Sequence, residues 1–473
     1  MSANVRSRNN SVTMQFPQSL LQQLQNHPGF NQAAFLAAHN KNEAVTSIRI
    51  NPVKCSTAAL ESEINQSINQ PINLSPVPWN PHGYYLSARP QFIFDPLLHA
   101  GAYYVQEASS MFLWQALQQC VPSTQNKNIL DLCAAPGGKS TLIAGYAPNA
   151  FIVSNEVIKT RATILVENIT KWGAPNVVVT NNDPADFARL PGFFDAIVVD
   201  APCSGSGLFR KDENAINEWS EDSVLMCSRR QQRILADALP CLKEDGVLIY
   251  STCSYSVEED EEIADWLAGE MDMENIALTI PSEWDIVETQ SPKHNAKGYR
   301  FYPHLIKGEG FYISVFKKKK SEGYAYYNEA TLDKPSKKET EIIHNFYAVD
   351  DAHALFKNKE QVRIFPAAYL QQLQVVLKNL YVKKAGIAIG EIKHSDVIPD
   401  HELAVSGLNL QNLASIDADY DTALNYLKRK DIQLSDSKGW QLLTYKHLPM
   451  GWVKVLPNRV NNYYPVSWRI LKE

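Results

Sequence analysis

The chain has 473 residues, 45% of them hydrophobic and 20% charged, an ordinary mix for a soluble protein of about three domains. Its longest apolar runs, such as FDAIVV at 194–199, fall far short of the roughly 20 residues a membrane helix needs, and MSANVRSRNN lacks the apolar core of a secretory signal. Seven cysteines, an odd number with no CxxC or His–Cys cluster at ligand spacing, argue against a disulfide framework and a structural zinc site and for a reducing compartment.

The net charge of −6 speaks against a nucleic-acid partner only until it is located. Residues 255–289 hold twelve acids and no Lys or Arg; the remainder has 45 basic against 39 acidic residues. Binding follows local charge, so a mildly basic molecule is hidden behind one acidic stretch.

In chain order, Leu20, Leu21, Leu24, Phe35 and Leu36 are spaced for one buried helical face. SIRINPVKC (47–55) reads as a strand ending in a turn at Asn51-Pro52, and the Asn/Pro/Ser-rich stretch 65–81 as loop. QEASSMFLWQALQQC (106–120) is an amphipathic helix. Short continuous apolar runs then recur between helical stretches: NILDLC (128–133), AFIVSNE (150–156), NVVVTNND (176–183), FDAIVVDAP (194–202) and GVLIYSTC (246–253). Unbroken apolar strands are buried on both faces, which predicts a parallel α/β sheet. VEEDEEIADWL (257–267) reads as an exposed amphipathic helix, and GFYISVFKK (310–318) as a strand near the sheet's edge. Lys317–Lys320 read as a solvated strand exit or, more sharply, as an RNA-facing patch. The predicted organisation is an N-terminal α+β RNA-binding unit over 1–95, an α/β unit over 96–318, a polar linker over 319–344, and a β-rich unit over 345–473 with one helix at 368–380. Residues 357–473 carry sixteen basic and eleven acidic side chains, so the last unit is expected to hold RNA and to be separable from cofactor binding.

Ligands of open α/β sheets bind beyond the C-terminal strand ends. There stand Cys133, Ala134, Ala135, Pro136, Gly137, Gly138 and Lys139, small residues that let backbone approach a ligand at a helix N-terminus. A P-loop fails because Cys133 occupies the position of its first glycine. Glu156 follows the second strand, placed for ribose hydroxyls, and Asp183 follows the third, placed for a nucleobase amino group. Each alone reads as a helix cap; in register they describe a site for an adenosine-containing cofactor. Asp200-Ala-Pro-Cys203 follows the fourth strand and Thr252-Cys253 the fifth. A lone buried cysteine is ordinary packing. Two at successive strand ends beside an adenosine site suggest nucleophilic chemistry on a pyrimidine: a thiolate adding at C6 of cytosine makes C5 able to take a methyl group, with Asp200 sharing a proton at N3.

DLCAAPGGKS, DAPCSGSGLFRKD and YSTCSYSVEEDE, with YYVQEASSM (103–111) and GYRFYPHLIKGEGFYISVF (298–316), resemble the motifs of the Nop/Sun family of S-adenosylmethionine-dependent RNA cytosine-5 methyltransferases. The resemblance covers about residues 45–318. GWVKVLPNRVNNYYP (451–465) is similar to the PUA-like C-terminal part of the family's bacterial RsmF type, which acts on 16S ribosomal RNA. The resemblance implies a Rossmann-like class I methyltransferase sheet with a C-terminal PUA-like domain. It implies S-adenosylmethionine bound by Cys133–Lys139, Glu156, Asp183 and Asp200, Cys253 as nucleophile and Cys203 assisting release. Cys133 departs from the family pattern and is expected to lie against the cofactor without a catalytic role. The expected partner is ribosomal RNA in the small subunit; the expected setting is a cytoplasmic monomer with no membrane and no metal. Arg210, Lys211, Lys297, Tyr299, Arg300 and His304 are candidates to contact phosphates and displaced bases. A DNA cytosine-5 methyltransferase attacking through Cys203, or an idle RNA-binding assembly factor, are the readings set against this one. The complete cysteine pair disfavours the idle factor.

Overall fold

The computed structural model describes residues 16–41, 45–55, 72–211, 214–320, 326–434 and 438–472. The segment MSANVRSRNN, residues 65–71 of the expected loop, 321–325 of the expected linker and Asp212 of the Pro-Cys motif lie outside the described residues.

Helices α1 (Gln18–Leu24) and α2 (Gln32–Asn40) bury Leu20, Leu21, Leu24 and Phe35 as the spacing predicts, against Phe209, Tyr255 and Tyr302 of the next unit. The Asn31 side chain caps α2 by accepting from the Ala34 amide. Strands β1 (Thr46–Ile50), β2 (Leu74–Pro76), β3 (Gly83–Leu86) and β4 (Tyr103–Val105) form an antiparallel sheet in the order β2-β3-β1-β4.

The central sheet is built on β5 (Asn128–Asp131), β6 (Phe151–Asn155), β7 (Val177–Thr180), β8 (Phe194–Asp200) and β9 (Leu242–Thr252). These five are parallel and run in the order β9-β8-β5-β6-β7, so strand order reverses between β5 and β8. Their apolar runs are buried on both faces because helices cover both. α3 (Leu113–Cys120), α4 (Gly138–Tyr146) and α5 (Lys159–Trp172) pack on one side through Leu117, Leu142, Ile143 and Leu165. α6 (Glu221–Ala238), α7 (Glu261–Gly269) and α8 (Leu370–Asn379) pack on the other through Ile234, Leu267 and Leu373.

Antiparallel strands extend this sheet at both edges. Beyond β9 lie β13 (Phe311–Lys318), β12 (Lys297–Phe301) and β11 (Val287–Gln290), with β10 (Met273–Ile276) also on β13. The strand expected near the edge is therefore interior: β13 is paired on β9 and covered by β12. Lys317 and Lys319 leave it paired with Asp245 and Asp272, as a solvated strand exit would.

The terminal region holds two further four-stranded sheets. One is β14 (His353–Asn358), β15 (Gln361–Pro366), β17 (Ile387–Lys393) and β18 (Asp396–Pro399); the other is β19 (Ser415–Ala418), β20 (Gly439–Tyr445), β21 (Leu448–Leu456) and β22 (Arg459–Asn462). Strand β16 (Val382–Ala385) belongs to neither and pairs antiparallel with β7, closing the far edge of the central sheet. Among the described residues no helix is long and apolar enough to cross a membrane.

The acidic segment departs most from its reading. Glu259, Asp260, Glu261 and Asp265 are buried rather than exposed. Buried carboxylates persist only when partnered, and the partners come from elsewhere in the chain. Arg300 on β12 pairs with Asp260 at 3.1 Å and with Glu261 at 2.5 Å, and Asp265 accepts from the Ser291 hydroxyl and the His294 amide.

Candidate active site

The strand-order reversal puts the ends of β5 and β8 side by side, where an open sheet binds its ligand. A cavity of about 320 Å³ opens there, lined by Cys133–Pro136, Gly138 and Lys139 from the loop after β5, Asp200 from β8 and Cys253 after β9. Tyr104–Glu107, Ser110, Leu208, Gly310 and Phe311 complete the wall. Gly137 caps α4 at φ +118°, a conformation that a side chain resists, and an added Cβ would also press on Leu165 at 3.3 Å. Lys139 Nζ lies 2.8 Å from Asp200 Oδ2, and the Ser251 hydroxyl donates to Asp200 Oδ1 at 3.1 Å. Cys133 lines the cavity with its thiol pushed up by burial and by the nearby Asp131 carboxyl, which keeps it a neutral wall residue.

Glu156 and Asp183 stand at the ends of β6 and β7 but are not part of this cavity wall. Asp183 also caps the short 3₁₀ turn that follows it, and Glu156 is tied to the backbone just ahead of α5. Glu156 Oε1 accepts from the Ile158 amide at 2.9 Å, and Arg161 lies 3.5 Å from its Oε2. Asp183 accepts from the Ala185 amide at 3.1 Å and faces Arg233 at 3.4 Å.

Because β8 and β9 are parallel neighbours, their C-terminal loops leave the sheet side by side. Cys203 Sγ and Cys253 Sγ are 3.1 Å apart. Hydrogen bonding to Cys253, together with burial, holds the Cys203 thiol well above its ordinary range. The loops approach closely at Gly207, whose amide donates to the Cys253 carbonyl at 2.8 Å. A Cβ at Gly207 would meet that carbonyl oxygen at 2.7 Å and the Gly310 carbonyl at 2.6 Å, so only glycine fits.

Three residues escaped the sequence reading. Glu259 is buried between the two cysteine loops. Glu107 accepts from the amides of Ser109, Ser110 and Glu309 at the cavity wall. Arg49 reaches from β1 to α4, donating to the Gly138 carbonyl, the Thr141 carbonyl and hydroxyl, and Gln106; burial pushes its guanidinium down to about 9. Glu107 and Glu259 each share a motif with near partners, Ser109 and Ser110 in one case and Ser254 in the other. Glu309 and Ser204 complete their bonding from far along the chain, as Gln106 and Thr141 do for Arg49, so spacing gave no signal.

The proposed RNA-contacting set is largely committed to the protein itself. Tyr299 and Arg300 are buried, Arg210 pairs with Glu309 at 2.9 Å, Lys297 with Glu288 at 3.1 Å, and His304 meets the Gly29 carbonyl. Lys211 is exposed. Arg300 was read as a surface cation because sequence alone does not reveal the acids it faces.

Comparison with known proteins agrees with this architecture. Residues 119–317 match the model of the 16S rRNA methyltransferase RsmB/F family, 16–108 the N-terminal domain of 16S rRNA methyltransferase RsmF, and 414–470 the methyltransferase RsmF PUA domain. The ribosomal RNA small subunit methyltransferase F of Psychromonas ingrahamii is 30% identical over 442 residues, covering 89% of this chain and 90% of the relative. The chain belongs to the ribosomal RNA small subunit methyltransferase F family. The Klebsiella pneumoniae member is 28% identical over 96% of both chains. Among solved structures, a methyltransferase homologue from Pyrococcus horikoshii has a TM-score of 0.52 at 27% identity, covering 64% of this chain and 99% of its own. NSun6 from the same organism, solved with SFG, has a TM-score of 0.54 at 21% identity over 65% of this chain and all of its own, and shares the fold. The fold is thus a Rossmann-like methyltransferase sheet with a C-terminal PUA domain, and the family is of the S-adenosylmethionine-dependent class. The cavity suits that cofactor. Small residues line it at a helix N-terminus, and Asp200 at a strand end and Glu107 supply acids in its wall.

Proposed function

We propose that this chain methylates C5 of a specific cytosine in 16S ribosomal RNA through a covalent bond between Cys253 and C6. The observation that carries this is the pair of sulfurs 3.1 Å apart beside Asp200, with Cys253 in the cavity wall. The names of the relatives support ribosomal RNA of the small subunit as substrate.

When bound, S-adenosylmethionine supplies an electrophilic methyl group. Residues Cys133–Lys139, Glu156, Asp183 and Asp200 are the groups we assign to holding it. The raised thiol of Cys203 keeps its proton and leaves the Cys253 sulfur to act as the nucleophile. The sulfur's electron pair forms the bond to C6, and the C5=C6 pair shifts so that C5 becomes nucleophilic. The proton that Cys253 gives up is the one shared between Asp200 and N3, and Lys139 beside Asp200 balances the charge. After C5 is methylated, water takes the C5 proton, the C5–H pair re-forms the double bond, and the C6–S bond breaks with its pair returning to Cys253. Cys203, in contact with that sulfur, assists this release. The base must leave its stack to reach the cavity, and the N-terminal and PUA units are assigned to holding RNA meanwhile. The enzyme is placed in the cytoplasm, as a monomer.

Tritiated methyl transfer to RNA and to DNA, followed by bisulfite mapping of ribosomal RNA with and without the protein, tests the reading. Transfer to one 16S cytosine and none to duplex DNA is expected; equal transfer to DNA overturns it.

A further inference from the structure

Glu259 lies in a 3₁₀ turn just before α7 and is fully buried. Its carboxylate receives four donors. Oε1 accepts from the Ser204 amide at 2.8 Å and from Gln231 Nε2 at 3.2 Å. Oε2 accepts from the Ser204 hydroxyl at 2.5 Å and the Ser254 hydroxyl at 2.6 Å. Ser204 directly follows Cys203, and Ser254 directly follows Cys253. Gln231 on α6 also donates to the carbonyl of Pro202, the residue before Cys203, at 3.1 Å. Tyr250 on β9 fixes the same point, donating to the Glu259 carbonyl at 2.6 Å and to Gln231 Oε1 at 3.0 Å. The carboxylate thus holds the residue after Cys203 by its amide and hydroxyl and the residue after Cys253 by its hydroxyl, and Gln231 links it to the carbonyl before Cys203, while it lies outside the cavity wall.

We infer that Glu259 is a positioning residue for the methyl transfer proposed above, on which the inference rests: it clasps the two cysteine loops so that both sulfurs meet one base. The residue type fits the task. A carboxylate is acceptor-only and can take four donors, and bonds to a charged acceptor are the strong ones. The two loops leave different strands; the Gly207 amide also donates to the Cys253 carbonyl and the Tyr255 amide to the Ser206 hydroxyl, each at 2.8 Å, but Glu259 is the charged acceptor that meets the residue after each cysteine. Burial pushes the Glu259 carboxyl up, and the donors from Ser204 and Ser254 oppose that.

The test uses the full chain with Glu259→Ala and Glu259→Gln and two readouts. The first is steady-state methylation. Displacement of a reacting group by about 1 Å costs on the order of 100-fold in rate, so Glu259→Ala should lose kcat by about 10- to 100-fold with KM for RNA and cofactor nearly unchanged. Glu259→Gln should recover most of it. Its carbonyl oxygen still meets the Ser204 amide and Gln231, and its NH₂ meets two hydroxyls that can turn to accept. The second readout needs no methylation. With diamide, both thiols give up their protons, the Cys203–Cys253 bond forms and the diazene is reduced to a hydrazine; the linked peptide is two hydrogens lighter by mass spectrometry. Wild type and Glu259→Gln should close this bond at least tenfold faster than Glu259→Ala. If wild type shows no RNA methylation, the functional reading fails while the closure rate still judges the clasp. Equal closure in wild type and Glu259→Ala overturns the inference, whatever happens to kcat, and so does a Glu259→Gln as slow as the alanine variant in both assays. If Glu259→Ala does not fold, Ser204→Ala and Ser254→Ala together remove both hydroxyl straps and are held to the same two readouts.

Discussion

Two thiols in contact do not ionise together, because the second charge would form beside the first in a water-poor pocket. Hydrogen bonding to its neighbour, together with burial, pushes the Cys203 thiol up, in keeping with the releasing role proposed for it. The single variants should therefore differ. Cys253→Ala is expected to abolish methylation with no adduct. Cys203→Ala should accumulate a protein–RNA species that survives a denaturing gel, with slow turnover. The double variant should behave as Cys253→Ala, since its block comes earlier; an adduct in Cys253→Ala alone would move the nucleophile to Cys203. A second expectation concerns Asp131, under the cofactor loop. Burial pushes its carboxyl up to about 7, against the bond it accepts from the Ser140 hydroxyl. A raised carboxyl holds its proton more tightly folded than unfolded. Its stabilisation is full below the unfolded value near 4 and is lost as pH rises through about 7, a change on the order of 4 kcal/mol. Denaturant unfolding of wild type minus Asp131→Asn should show that difference falling between about pH 4 and 8; a flat difference would refute it. The cysteines, the glycines and the strand-end acids were legible because each sits in a short motif at a strand end. Glu259 and Arg300 were not, because apart from Ser254, five residues from Glu259, the partners that satisfy them lie 28 to 55 residues away.

The parallel core was readable from its unbroken apolar runs, which have no other way to be buried. β16 was not. Its sequence, VKKA, has two lysines and no apolar run, and it is a strand because the edge of β7 offers it partners. It matters for the site because Tyr381, just before it, exchanges bonds with Asn182: the Tyr381 amide donates to Asn182 Oδ1 and Asn182 Nδ2 donates to the Tyr381 carbonyl. Asn182 adjoins Asp183. The expectation that residues 345–473 could be removed with cofactor binding intact is therefore revised. That deletion strips β16 from the sheet and Phe356, Phe365 and Tyr369 from its core, so the truncated chain should bind cofactor poorly and unfold at lower denaturant. Calorimetry on it, beside Asp183→Ala and Glu156→Ala, measures the share owed to each acid, expected at about 1–3 kcal/mol for a lost charged hydrogen bond. Unchanged affinity in both point variants would leave these acids as caps only.

Across the whole molecule, the N-terminal and PUA units share one core. Ile48, Ile50, Leu97 and Tyr103 pack with Tyr426, Val453 and Tyr464. Lys54 sits where three parts of the chain meet, and its ammonium donates to the carbonyls of Ala100, Lys171 and Val405 at 2.8, 2.6 and 2.6 Å. Lys54→Met keeps the stem and removes all three donors. It should lower the thermal midpoint and speed proteolysis between the units, at roughly 1–3 kcal/mol for each buried carbonyl left unpaired; an unchanged midpoint would mean that water replaces the ammonium. Such a clasp fixes the N-terminal and PUA units, the parts proposed to hold RNA, as one frame. The order of synthesis gives the closing strand a further consequence. β7 leaves the ribosome about 200 residues before β16, and at roughly 5–20 residues per second its edge waits some 10 to 40 seconds for a partner. During that time VVVT is an open, apolar strand edge, the kind that recruits foreign strands. A nascent chain halted before residue 382 should therefore be the stage most prone to aggregate and most in need of a chaperone, and release of the terminal region is the event that ends that exposure.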